Sequence, residues 1–229
     1  MSLGAKPEMT PSRTVLAVPL ALLMAGAACH GCRDPAEGLQ SSDAQERREA
    51  LTALAKEDTE GAVRQVVEMV AHEDMTTARD AVWALGRMSN QRAAEAVSKV
   101  ALGDARPGVR KEAAAALGRR PAEASVRTLR RMVQSDQSSE VRAEAAASLG
   151  NVGSTADVDL LVQVVESADT PETLAVQSRA IGAVERLVGL NFYYDAKAPP
   201  GERQKALARM RMIARAAAAN LPSKDEDKE

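Results

Sequence analysis

Apolar side chains recur at helical spacing along most of this chain. Between residues 63 and 70 they are Val63, Val66, Val67 and Val70, the i, i+3, i+4, i+7 pattern of an amphipathic helix with one buried face. Similar runs occupy 93–102, 125–133 and 159–165. Alanine-rich runs alternate with them: RDAVWALGRM (79–88), KEAAAALGRR (111–120), AEAAASLGNV (143–152) and SRAIGAVERL (178–187). In these the glycines Gly86, Gly118, Gly150 and Gly182 stand 32 residues apart. Val109-Arg110 recurs as Val141-Arg142, and Asp104 as Asp136, at the same interval. A weaker copy over 47–56 is slipped by about one residue. Breaks follow at Asn90, Pro121 and Gly153. Starts are marked by Ser154 with Asp157 at capping-box spacing and by Thr170-Pro171-Glu172. No window sustains the alternation of a strand.

Two helices per unit, repeated at one period, bury their apolar stripes only against neighbouring units. The expected fold is therefore all-α: an α-solenoid of about five stacked helix pairs over 43–189, closed by a C-terminal capping helix. Residues 190–221 break the period and form the expected cap. Phe192, Tyr193 and Tyr194 are three of the four aromatics of the whole chain, and Pro199 and Pro200 precede a helix starting near Gly201. Residues 222–229 are charged and expected to be disordered. The glycine in the last turn of each first helix is expected to let a partner backbone come close.

The pattern Asp-x5-Arg followed by Ala-Leu-Gly resembles HEAT-like repeats of the short kind found in phycobilisome lyases. The resemblance implies that Asp104 with Arg110 and Asp136 with Arg142 tie successive turns into a ladder. Ala78 and Gln177-Ser178 depart from the Val-Arg pattern, so the ladder should be incomplete at both ends. The Trp, Tyr and Phe signature of tetratricopeptide repeats and the ankyrin Thr-Pro-Leu-His are missing.

With aromatics at only 2%, a chromophore-lining groove is poorly supplied. The net charge of −2 gives no overall grip on nucleic acid. The bases Arg127, Arg130, Arg131, Arg203, Lys205, Arg209, Arg211 and Arg215 read as a solvated face rather than an anion site. His72-Glu73 resembles one iron-binding pair of a HEAT-repeat hydroxylase, but Asp104 and Asp136 stand without histidine at the equivalent places. No nucleophile–histidine pair or phosphate loop is visible, so no enzyme, cofactor, metal or small-molecule substrate is expected. The second helices should line a concave face. Their outward stripe is expected to be Gln65 and Met69, Glu95 and Lys99, Arg127 and Arg131, Asp159 and Gln163. Trp83, whose counterparts are Ala115, Ala147 and Arg179, is either a partner-binding hot spot or a side chain covering a gap left by alanines.

The N-terminus bears on location. Residues 14–28 carry no charge, Lys6 and Arg13 precede them, and Ala25 to Ala28 are small, the anatomy of a signal peptide over 1–28. Ala27-Ala28-Cys29 resembles a bacterial lipobox, with Gly26 in place of leucine. That implies lipidation at Cys29, a linker over 29–42, and a lipoprotein facing the periplasm from the outer rather than the inner membrane. The alternative is ordinary cleavage after Ala27. Cys29-His30-Gly31-Cys32 lacks the context of a redox, haem or zinc site. The functional expectation is a non-enzymatic scaffold or assembly factor binding an unknown envelope protein. The alternatives are a HEAT-like repeat enzyme or chromophore lyase, and a passive structural spacer.

Overall fold

The computed structural model describes residues 34–167, 173–195 and 197–220. The signal-like segment with Cys29 and Cys32, the helix start at Thr170-Pro171-Glu172 and the charged tail lie outside the described residues. Helices begin where a side-chain oxygen can take the free N–H groups of a first turn. Asp43 accepts from Gln45 at 2.7 Å, Thr59 from Ala62 at 3.1 Å, Asp74 from Thr77 at 2.9 Å and Asn90 from Arg92 at 2.9 Å. The Ser154–Asp157 capping box forms on a single 3₁₀ turn. Among the described residues proline opens three helices, at Pro35, Pro107 and Pro200.

After a short α1 (Pro35–Gly38), the first helices are α2 (Ala44–Glu57), α4 (Met75–Arg87), α6 (Pro107–Leu117), α8 (Ser139–Val152) and α10 (Leu174–Val188). The second helices are α3 (Glu60–Val70), α5 (Gln91–Gly103), α7 (Glu123–Ser135), α9 (Val158–Ser167) and α11 (Pro200–Asn220). Each layer packs helix on successive helix, and the elements among the described residues are all helical. This is the all-α solenoid of five pairs. The helix expected as a cap, α11, packs on α9 and α10 and so takes the second-helix place of the fifth pair. Residues 35–39, expected to be linker, pack on α2 and bury Leu39.

The core has one apolar column per layer. Leu54, Leu85, Leu117, Leu149 and Val184 fill the first, and Val66, Val97, Leu129 and Leu161 the second, all nearly or wholly buried. Burying one such side chain contributes about 2 kcal/mol. The columns reveal the true period: 32 residues in the middle, one fewer at the first repeat and three more before α10.

Between first helices there is no room for a methyl group. A Cβ on Gly86 would lie 2.7 Å from Ala116 Cβ, one on Gly118 2.6 Å from Ser148 Cβ, and one on Gly150 2.6 Å from Ala183 Cα. Gly182 does not continue this column. The three extra residues carry it out of register, and its Cβ would meet only Arg186 Nη1, at 3.6 Å.

Turns between pairs are tied by arginine, because each turn leaves carbonyls at a helix end with no helical partner. Arg110 grips Asp136 with two bonds of 2.8 Å, and its third nitrogen donates to Asp104 O at 2.9 Å. Arg142 repeats the last contact on Asp136 O at 2.8 Å. The carboxylate of Asp104 is held not by Arg110 but by Arg106, which also donates to Val70 O at 2.6 Å and His72 O at 2.9 Å. Arg106 thus ties the turn at 70–72 from the repeat that follows it. At the N-terminal end the ladder continues through buried Arg47, which donates to Ser41 O at 2.8 Å and Thr77 Oγ1 at 3.0 Å and pairs with Asp74 at 3.5 Å. Arg47 stands at the start of the slipped copy, one residue out of the period.

These contacts hold carboxyls ionised. Burial pushes Asp136 up, but the Arg110 guanidinium, the Ser138 N–H and the nearby Arg142 outweigh it, and the net shift is down. The Arg106 guanidinium is the main cause for Asp104, again net down. The Thr77 hydroxyl and N–H bring Asp74 from 3.8 to about 2. A carboxyl whose folded value is depressed contributes stability that is complete above its unfolded value and is lost as pH falls through the folded one.

The urea midpoint should therefore fall between about pH 4 and pH 2. Asp136→Asn should lower it at pH 7 and shrink the acid loss; an unchanged acid limb in this variant would remove the ladder as its cause. Glycine substitutions should have opposite signs. Gly150→Ala should destabilise by about 2 kcal/mol through overpacking, and Gly182→Ala should stabilise by about 0.5–1 kcal/mol, both read from urea unfolding.

Candidate functional site

The second helices present an outer face away from the first layer. Two rows of exposed side chains run across it: Arg64, Glu95, Arg127 and Asp159, then Glu68, Lys99, Arg131 and Gln163. Six of the eight residues expected for this stripe are here. Gln65 and Met69 are not. Met69 is buried at 7% exposure, and Gln65 is half-buried with Oε1 unbonded among the described residues. The buried columns are 31 residues apart here, which sets Arg64 and Glu68 against Glu95 and Lys99; Gln65 and Met69 stand 30 before them, one residue off the face.

Ion pairs lace the face. Glu60 takes Arg92 at 2.9 Å, Asp159 takes Arg215 at 2.7 Å, Glu166 takes Arg211, and buried Asp157 takes Arg130. Arg127 is tied within its own helix to Glu123. So Arg211 and Arg215, two of the bases clustered on α11, are matched by the acids of α9. Lys99 and Arg131 have no acidic partner among the described residues.

Between the ends of α5 and α7 lies a groove of about 360 Å³, lined by Leu102, Gly103, Arg131, Met132 and the Asp104 and Asp136 turns. It is polar and open on one side. Leu102 is 41% exposed at its rim.

Trp83 is half-buried and packs against the core, with the Arg87 guanidinium 5.0 Å from its ring centroid. His72 Nδ1 accepts the Asp74 N–H at 3.0 Å, a turn contact beside the ladder. No group of three His, Cys, Asp or Glu that could hold a metal occurs among the described residues, and none of their helices is long and apolar enough to cross a membrane.

At the last repeat, Gln177 takes the place of the ladder arginine. It is buried, its Nε2 donates to Val165 O at 3.1 Å, and its Oε1 accepts from the Tyr194 hydroxyl. Phe192, like Tyr194, packs against the core, and Glu185 accepts the Phe192 N–H at 2.7 Å. Tyr193 does not join them: it is 88% exposed with φ of +51°.

A model of HEAT repeats matches residues 35–102 and 95–182. The chain belongs to the HEAT-repeat family. Among solved structures, this HEAT-repeat chain is similar to the complex of CpcE and CpcF of phycocyanin lyase from Nostoc sp. PCC7120. The identity is 22%, covering 83% of this chain and 80% of that one, with a TM-score of 0.52. That likeness is one of fold. An engineered protein (19% identity, 80% of this chain, 96% of that chain, TM-score 0.47) and a designed armadillo repeat protein (20%, 80%, 99%, 0.47) are also similar. No curated protein matches the sequence.

The register of α3 is open to a direct check. Met69→Asp should destabilise by more than about 3 kcal/mol, because it buries a charge without a partner. Glu68→Lys should stay within about 0.5 kcal/mol. Similar urea midpoints for the two variants would reverse the assignment of core and face.

Proposed function

We propose that this HEAT-repeat chain is a non-enzymatic scaffold or assembly factor that binds another protein through the face of its second helices. The observation that carries the reading is the pair of exposed rows from Arg64 to Asp159 and from Glu68 to Gln163. They stand on helices whose relative positions are set by buried columns and an arginine ladder, so their spacing is preorganised. Preorganised polar side chains around a partly apolar groove suit recognition, because little ordering entropy remains to be lost on binding.

The proposal extends to location. The uncharged run 14–28 and Ala27-Ala28-Cys29 support export and lipidation at Cys29, with the solenoid in the periplasm and its anchor in the outer rather than the inner membrane. A lipid contributes about 0.8 kcal/mol of membrane affinity per buried CH₂. The net charge of −2 adds no attraction to an anionic surface, so the acyl chains supply the anchoring.

Mass spectrometry of the mature N-terminus from native membranes should find a triacylated Cys29, and Cys29→Ala should abolish it. A free N-terminus at Ala28 would make the protein soluble after export. An uncleaved chain in the cytosol would sink the location. For the binding role, a photo-crosslinker at Glu95 should trap a protein partner in cells while one at exposed Arg179 on the first-helix layer should not; equal trapping would remove this face from consideration.

A further inference from the structure

Lys99 and Arg131 occupy the same place on consecutive second helices, and neither has an acidic partner among the described residues. Their neighbours are accounted for. Arg92, Arg127 and Arg130 are paired with Glu60, Glu123 and Asp157. The two carboxylates of the groove, Asp104 and Asp136, are neutralised by Arg106 and Arg110. Glu95, one turn before Lys99, accepts from Gln91 Nε2 at 3.1 Å. Gln91 is neutral, so Glu95 keeps its charge; this part of the surface carries Lys99 and Arg131 against Glu95, one cation in excess, and at the groove itself the charge left over is Arg131. Arg131 lines the groove of about 360 Å³, and Lys99 stands one turn before its Gly103 rim. Apolar contact is available from Leu102, 41% exposed, and among the described residues beyond its own helix backbone and chain neighbours no atom lies within 4 Å of the place a Cβ on Gly103 would take.

We propose that this groove between α5 and α7 receives an extended acidic segment of a partner protein. Carboxylates of the segment pair with Lys99 and Arg131, and an apolar side chain lies on Leu102. Packed helices stand about 9 Å apart, and acidic side chains two residues apart on an extended chain lie on one side about 7 Å apart. Two long basic side chains bridge that difference without moving the backbone. Closely placed charges on both partners also steer encounter, so salt should weaken the complex. The proposal rests on the protein-binding reading above and names the chemistry of the partner.

The test is fluorescence anisotropy of the full chain with labelled peptides of about ten residues, enough to cross the groove and its neighbours. One peptide carries glutamates with interspersed leucines, and the other has every glutamate replaced by lysine. The acidic peptide should bind, the basic one should not, and added salt should weaken binding. Lys99→Glu with Arg131→Glu should weaken it at least about tenfold at unchanged helical circular dichroism. Lys205→Glu with Arg209→Glu on α11 should not change it. Should the reversal disturb folding, Lys99→Ala with Arg131→Ala replaces it and the salt dependence of the unaltered chain stands. Equal binding of the two peptides, or full binding by the double reversal, overturns the proposal. So does a crosslinked cellular partner whose capture survives the reversal, although the scaffold reading then stands. Acidic-peptide binding lost on reversal, with no partner trapped in cells, upholds the groove and removes the scaffold reading.

Discussion

The first helices of this solenoid approach so closely that a single methyl group has no space between them. Gly86, Gly118 and Gly150 each face a small residue of the next helix, and a Cβ on any of them would fall within 2.7 Å of it. This contact explains the composition. Where backbones nearly touch, only glycine, alanine and serine fit, hence the alanine-rich first helices. Dispersion falls steeply with distance, so a layer of small residues stabilises only when the helices close completely. The apolar bulk is displaced inward, into the columns of leucine and valine between the layers.

Close stacking brings the turns together as well, and there the constraint becomes polar. Helix ends carry unpaired carbonyls that cannot be left without partners. Arginine answers this because one planar group can bond two carboxylate oxygens and still reach a carbonyl. Arg110 does both. Arg106 reaches back across the repeat boundary, and Arg47 works with a carbonyl and a hydroxyl. What recurs is the requirement on the carbonyls, met by arginines from different positions, and not one fixed pair of residues.

That distinction explains which features were legible in the sequence. A constant interval, capping residues and amphipathic stripes made the all-α solenoid readable, because local pattern and global packing agree along the middle repeats. The errors sit where the interval changes. At the first repeat the columns are 31 residues apart, whereas Gln65 and Met69 stand 30 before Glu95 and Lys99, and that one residue exchanges Met69 for Glu68 on the face. Three more before α10 removed Gly182 from the glycine column and put Gln177 into the arginine's place. A single slip rotates a helix by about 100°, enough to exchange face for core, and nothing in a short apolar run announces it. The unpaired state of Lys99 and Arg131 was illegible for another reason: it depends on where the partners of all the surrounding acids lie, which is a property of three dimensions.

The C-terminal end shows what replaces the repeat when the interval fails. With no arginine at position 177, the turn is held by an amide and a phenol, Gln177 and Tyr194, and Phe192 packs against the core. Phe192 and Tyr194 both pack against the core, while Tyr193 between them stands exposed at a left-handed bend of the chain. The Asn191 side chain fixes that bend by accepting the Tyr193 N–H at 2.7 Å. A left-handed backbone at a bulky residue costs about 1–2 kcal/mol, which the contacts of the two half-buried aromatics with the core offset. The exposed tyrosine is thus accounted for by what its neighbours bury. The face of the second helices has no such internal explanation for Lys99 and Arg131, and that contrast is why the groove beside them is assigned to a partner.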